Sequence, residues 1–175
     1  SQFSDCDIAP WKNGAAILAY TEDDTIAVRT VSEALSASAP DYAFFSSPAD
    51  AGNVYSPVHL AINTLPERSV VHVGFTATRQ VGGSTETDVY DVYRDGTTGT
   101  FLPAVVVNNI CSSPTNCAPS SQPQDYVAIA AGIGADGGTQ AVAAYTSIES
   151  GVGGPYSTIY LSIWIPTAHT WITGS

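Results

Sequence analysis

The chain is 175 residues long, with 44% hydrophobic and only 12% charged residues, and a formal net charge of -11 from 16 acidic and 5 basic side chains. That length suits one domain, one able to bury roughly 70% of the surface its unfolded form exposes, and so apolar a composition excludes disorder along the whole chain. The acidic balance excludes a nucleic-acid binder, which needs a basic stripe to displace counterions, and disfavours an anionic membrane surface.

The N-terminal segment "SQFSDCDIAPW" is not strand-like in pattern, and its Phe3, Ile8 and Trp11 read as anchors for a tail on this chain or on a neighbour. There is no methionine, which fits a mature chain whose signal peptide has been removed. No apolar run approaches the ~18 residues of a membrane-spanning helix. "AAILAYTE" and "TIAVRTVS" follow as two short strands rich in β-branched residues, separated by Asp23 and Asp24. "SEALSASAPDY" suits either a short helix or a loop.

From Pro57 the period of two dominates. "PVHLAIN" turns at "TLPER" into "SVVHVGFTATR"; "QVGGSTE" reads as a loop; "TDVYDVYRD" alternates Val and Tyr with Asp and Arg. "DGTTG" is a turn by its Asp-Gly start, and "TFLPAVVV" is an edge or irregular strand because of its proline. On "TDVYDVYRD" strict alternation predicts one side for packing or a ligand and the other for water. "NNICSSPTNCAPSSQPQ" reads as a Pro- and Ser-rich surface loop. Then the order of elements returns: "DYVAIAAGI", the turn "GADGGT", "QAVAAYTSI", the loop "ESGVGGP", "YSTIYLSIW", and "IPTAHT" turning into "WITGS". The spacing resembles the ~40–50-residue period of blade repeats with an insertion. The chain is all-β.

In "DVYDVYRDGTTGTFLPAVVV" and "TIYLSIWIPTAHTWITGS", a Tyr-rich strand and a turn lead to Phe or Trp entering a last strand. This pattern resembles the outer half of a blade in sialidase-like, aspartate-box β-propellers. The preceding "PVHLAIN…SVVHVGF" is similar to the inner strands of such a blade. The resemblance covers two units, Ser56 to Ser175, and dimly a partial one before them. "YRDGTTGTF" keeps Asp95, Gly96 and Phe101 of the aspartate box but not the whole motif, and the second unit keeps only Trp171. The family's catalytic arginines, tyrosine and aspartate have no residue-by-residue match, so the resemblance implies a fold and no active site. It implies one domain of about three four-stranded blades; since rings need 4–8 blades, this is an incomplete propeller expected to be completed by assembly into a homo-oligomer, unless the chain is a processed portion of a longer protein. A β-sandwich, which buries its faces without partners, is the alternative.

Three chemistries compete. Tyr90, Tyr93, Tyr156, Tyr160, Trp164 and Trp171 suit stacking on sugar faces, with Arg79 or Arg94 to grip a carboxylate. Core packing is the competing role for the aromatics. Asp23, Asp24 and Asp136 could hold a hard cation such as calcium, although Asp-Gly turns need no metal. The carboxylates Glu22, Asp23 and Asp24, or Glu86, Asp88, Asp91 and Asp95, would have to serve a glycosidase; solvated turn and strand acids are the plainer reading. His59 and His72 sit in strand patterns as hydrogen-bonded structural histidines, and His169 lies in a turn. No nucleophile elbow is present. Cys111 and Cys117 close a short segment that fits a disulfide in an oxidising compartment, with Cys6 left odd and bridges from Cys6 to either partner open. The expected function is an extracellular, non-catalytic, carbohydrate-binding module. A self-assembling structural subunit and a sialidase-like glycoside hydrolase are the alternatives.

Overall fold

A computed structural model describes the backbone over residues 3–22, 25–35, 37, 39, 41–43, 56–81, 84–113, 116–119, 124–151 and 153–173. Side chains are described at these positions except 3–4, 41–43, 56–58, 79–81, 84–86, 109–113, 116–119 and 149–151. The fold is all-β. Among the described residues there is no α-helix, and no helix long and apolar enough to cross a membrane.

Three sheets follow one another along the chain. The first is β1 (Phe3–Pro10), β2 (Ala16–Glu22), β3 (Thr25–Val31) and β4 (Asp41–Ala43), paired in that order. The second is β5 (Ser56–Leu65), β6 (Val70–Val81), β7 (Ser84–Arg94) and β8 (Val105–Val106), again in order. The third holds the meander β11 (Gln124–Ile133), β12 (Thr139–Gly151), β13 (Gly154–Ile165) and β14 (Thr170–Thr173). The hairpin β9 (Asn109–Ser113) and β10 (Asn116–Pro119) is added beyond β14 through one parallel bridge, Thr173 to Ile110. All other pairings are antiparallel. Among the described residues the three sheets are open, and no closed barrel or closed propeller ring is formed.

Two expectations change here. The N-terminal segment is a strand and not a tail. Its pattern misleads because the alternate residues turned inward are Asp5, Asp7 and Ala9. The "CSSPTNC" region is a hairpin on the sheet edge and not a loop, with Cys111 opposite Cys117 in its register.

The sheets stack face to face. Each has a front face toward the preceding sheet and a back face toward the next. Between the first and second sheets, Ile17, Ala19, Ile26 and Val28 meet Leu60, Ile62, Val73 and Phe75. Between the second and third, Leu65, Val70, Val89 and Tyr93 meet Ala141, Ala143, Tyr145, Trp164 and Trp171. Each fully buried aliphatic or Phe side chain contributes about 1.5–3 kcal/mol against exposure. Gly74 sets the closeness of the second seam. A Cβ there would lie 3.3 Å from the Val127 side chain, tighter than ordinary contact.

The first strands of successive sheets lie side by side, β1 on β5 and β5 on β11. They are joined by side chains. Asp5 accepts the Leu60 N–H and Asp7 the Ile62 N–H, each at 2.8 Å. The other oxygens of the same two carboxylates accept the N–H groups of Cys6 and Ile8, at 2.9 and 2.8 Å. Asn63 then accepts the Ala131 N–H at 3.0 Å. Strand edges that would otherwise be orphaned are thus satisfied without a ladder.

Candidate functional site

The middle sheet is covered on both faces, and this is what builds the site. On β7, residues Asp88 to Tyr93 are all buried, so the expected wet face of "TDVYDVYRD" does not exist. Asp91 projects from the back face into the second seam and is fully buried, as is His72 beside it on β6. His72 Nδ1 lies 2.8 Å from Asp91 Oδ2, and the Trp171 indole N–H donates to the same oxygen at 3.1 Å. An indole nitrogen can only donate, so the carboxylate collects two donors and fixes the proton of His72 on Nδ1. His72 Nε2, Asp91 Oδ1 and Trp164 Nε1 are buried and have no protein partner. Buried polar atoms of this kind are normally met by ordered water.

Above this polar base lies an aromatic cavity of about 270 Å³, lined by Tyr93, Leu102, Pro103, Val105, Trp164 and His169. Tyr93 comes from the end of β7, Leu102 and Pro103 from the stretch before β8, and Trp164 from the end of β13. The rings form a continuous wall. Tyr93 and Trp164 have centroids 5.2 Å apart. The His169 ring lies parallel to Trp164, 6.1 Å between centroids and 5° between planes, and 6.2 Å from Tyr93. His169 is exposed, in the turn between β13 and β14, with φ +48°. That left-handed conformation is uncommon for a side chain other than glycine, and histidine tolerates it better than most. Here it sets the ring against Trp164.

Tyr93 also lines a second, polar cleft of about 430 Å³ with Glu67, Arg68, Asp95 and Thr97. Burial, and then the negative charges of Asp95 and Asp91, push its phenol above the ordinary 10.0. It therefore keeps its proton, and can donate it, through the whole neutral range. The turn beside it is held by Asp95, whose carboxylate accepts the N–H groups of Thr97 and Thr98 at 3.0 and 3.3 Å. The Thr97 N–H is the main reason its carboxyl sits below the ordinary 3.8. Gly96 is required there, because a Cβ would lie 1.9 Å from the Arg68 carbonyl oxygen.

Of the residues singled out for sugar stacking, Tyr93 and Trp164 come together at the cavity, with Trp171 packed 5.6 Å from Trp164 beneath it. Tyr90 faces the other seam, 1% exposed and stacked on Phe75 at 5.7 Å. Tyr160 stacks on Tyr145 in the third sheet at 5.9 Å. Arg94 projects away from the cavity, its guanidinium 5.7 Å from the Trp11 ring and its Nε donating to the Gly99 carbonyl. Tyr156 is 51% exposed on β13. His169, Leu102 and Pro103 were not among the expected site residues. The signal for His169 was its turn between Trp164 and Trp171, whereas the apolar lining looks like any core sequence.

Asp136 is exposed and accepts the Gly138 N–H at 2.9 Å, as an Asp-Gly turn does without a metal. Asp23 and Asp24 lie outside the described residues, as do the side chains of Cys111, Cys117, Arg79 and Glu86. Among the described residues no group of three or more His, Cys, Asp or Glu side chains is gathered for a metal, and Cys6 is exposed with a free thiol. No protein-family model matches the chain, and no curated protein sequence matches it.

Proposed function

We propose that the chain is an extracellular, non-catalytic carbohydrate-binding module whose site is the cavity walled by Tyr93, Trp164 and His169. The observation that carries this reading is the three converging rings around about 270 Å³ of mostly apolar space. That volume is near the lower end of small-molecule pockets, roughly 300–1,000 Å³. It suits one sugar ring stacked on an aromatic wall, with the Tyr93 hydroxyl and the His169 imidazole as polar contacts at the rim. The binding reading is favoured over hydrolysis because, among the described residues, no carboxylate lines this cavity, whereas a glycosidase needs two across the scissile bond. Asp95 and Glu67 line the adjoining polar cleft instead.

The scaffold in this proposal is an arc of three propeller-like blades. Its support is the run of three meanders, each with its first strand beside the first strand of the next. An extracellular site is supported by the Cys111–Cys117 register. Directly opposed antiparallel residues have Cα atoms about 4.5–5.5 Å apart, inside the range a disulfide bridges.

The test is a glycan array probed with the native chain at neutral pH. The expected result is selective binding to a set of glycans sharing one terminal sugar. An absence of binding across neutral and acidic glycans would overturn the proposal.

A further inference from the structure

We infer that the back face of the third sheet is a docking surface for a second copy of this chain, which presents the front face of its first sheet. On that back face Ile159 is 72% exposed, Leu161 55%, Ile163 53% and Val142 41%. Val142 pairs with Ile163 and Ala144 with Leu161 across β12 and β13, so these side chains form one block. Ala128 and Ala130 continue it on β11, opposite Ala144 and Val142, and none of these side chains carries a charge. An uncharged apolar face of this extent marks an interaction surface.

The occupant follows from the two seams already formed. In both, the back face of one sheet receives the front face of the next. In both, a polar back-face side chain of the first strand satisfies an edge N–H of its neighbour: Asp5 and Asp7 for Leu60 and Ile62, Asn63 for Ala131. The back face of β11 offers only Ala128 and Ala130 at these positions, with no side-chain acceptor, so it matches a first strand whose edge is already satisfied. β1 is such a strand. Its Cys6 and Ile8 N–H groups are held by Asp5 and Asp7 of the same strand. The front face of the first sheet is partly apolar and open along β1, with Ile8 59% exposed and the half-buried Leu18 and Tyr20 beside it. Two copies related by a two-fold axis close it, each back face taking the other's front face, so that the contact occurs twice and leaves no free end. Nothing in this contact involves the aromatic cavity, so it stands or falls apart from sugar binding.

Sedimentation of the full chain across micromolar concentrations tests it. The expected species is a dimer. Leu161→Asp on one face and Ile8→Asp on the other should each give a monomer with an unchanged far-UV spectrum. The Cys6 thiol, on the presented face, should react with Ellman's reagent several-fold more slowly in the dimer than after dilution to monomer. This last measurement uses the unmodified chain and decides the matter if either variant fails to fold. A monomer at every concentration overturns the inference. So do dissociation by Leu161→Asp alone, which means two back faces in contact, and species that grow beyond the dimer. Thiol reactivity that ignores concentration overturns it as well.

Discussion

Asp91 holds His72 at 2.8 Å inside the second seam, with both side chains fully buried and the Trp171 N–H bound to the same carboxylate. A charge or polar group taken out of water is retained only where its partners are in place. Replacing Asp91 by Ala would leave His72 Nδ1 and Trp171 Nε1 buried without acceptors. The expected loss is about 3–5 kcal/mol, read as a lowered urea midpoint with unchanged slope. Because Trp171 lies beneath the cavity, Trp fluorescence should shift to the red in the same variant.

Asp7 gives a sharper test, since its two oxygens serve two different strands: Ile8 on β1 and Ile62 on β5. Asparagine has the same shape but only one acceptor, and its NH2 would face a backbone N–H. Asp7→Asn should therefore destabilise by about 0.5–1.5 kcal/mol, the worth of one hydrogen bond at a half-exposed site. Chemical denaturation measures it; a neutral Asn variant would mean that the bridge between β1 and β5 contributes nothing.

Two glycines separate close approach from backbone freedom. Gly96→Ala forces a Cβ onto the Arg68 carbonyl at 1.9 Å and should cost about 1–3 kcal/mol through backbone displacement. Gly132→Ala on β11 meets nothing within 4 Å and should be neutral or stabilising by up to about 1 kcal/mol. Thermal unfolding of the pair makes the comparison.

The phenols predict the alkaline limit. Burial raises Tyr93 and Tyr145 above 10.0; for Tyr145, hydrogen bonds to Thr173 and Ser162 partly offset this. Above the unfolded value the unfolded chain has released these protons while the folded chain still holds them. Their contribution is therefore complete below about pH 10 and is lost as pH rises through the folded values. Asp95 works at the other end. Its lowered value means a contribution present above 3.8 and lost as pH falls through the folded value, and its exposure keeps that contribution small. Urea midpoints measured against pH should decline in the alkaline range, and Tyr93→Phe should make that decline shallower.

The parts of the fold that were legible are those where alternation and burial agree. β2 and the run Tyr160 to Trp164 follow the period of two, and the Asp95-Gly96 turn sits where its residues place it. β1 was hidden because its inward residues are acids, whose role is to satisfy the edge of β5. β7 was misjudged because a period-two pattern assumes one wet face, and a sheet stacked on both sides has none; Asp91 looks solvated in sequence and is the centre of a buried network. The cavity was half legible. Tyr93 and Trp164 are conspicuous aromatics, but their meeting depends on the stacking of two sheets, as does the separation of Tyr90 and Arg94 from them.

Titration calorimetry of the strongest-binding array sugar against the native chain and His169→Ala tests the central claim most directly. His169 is exposed and lies outside the packed core, so its removal should leave the fold intact and lower the unfolding temperature only modestly, through an alanine held at φ +48°. The expected result is a loss of affinity of about tenfold or more, the ~1.4 kcal/mol of one stacking and hydrogen-bonding contact. Equal affinity in the two proteins would contradict the assignment of the cavity as the binding site.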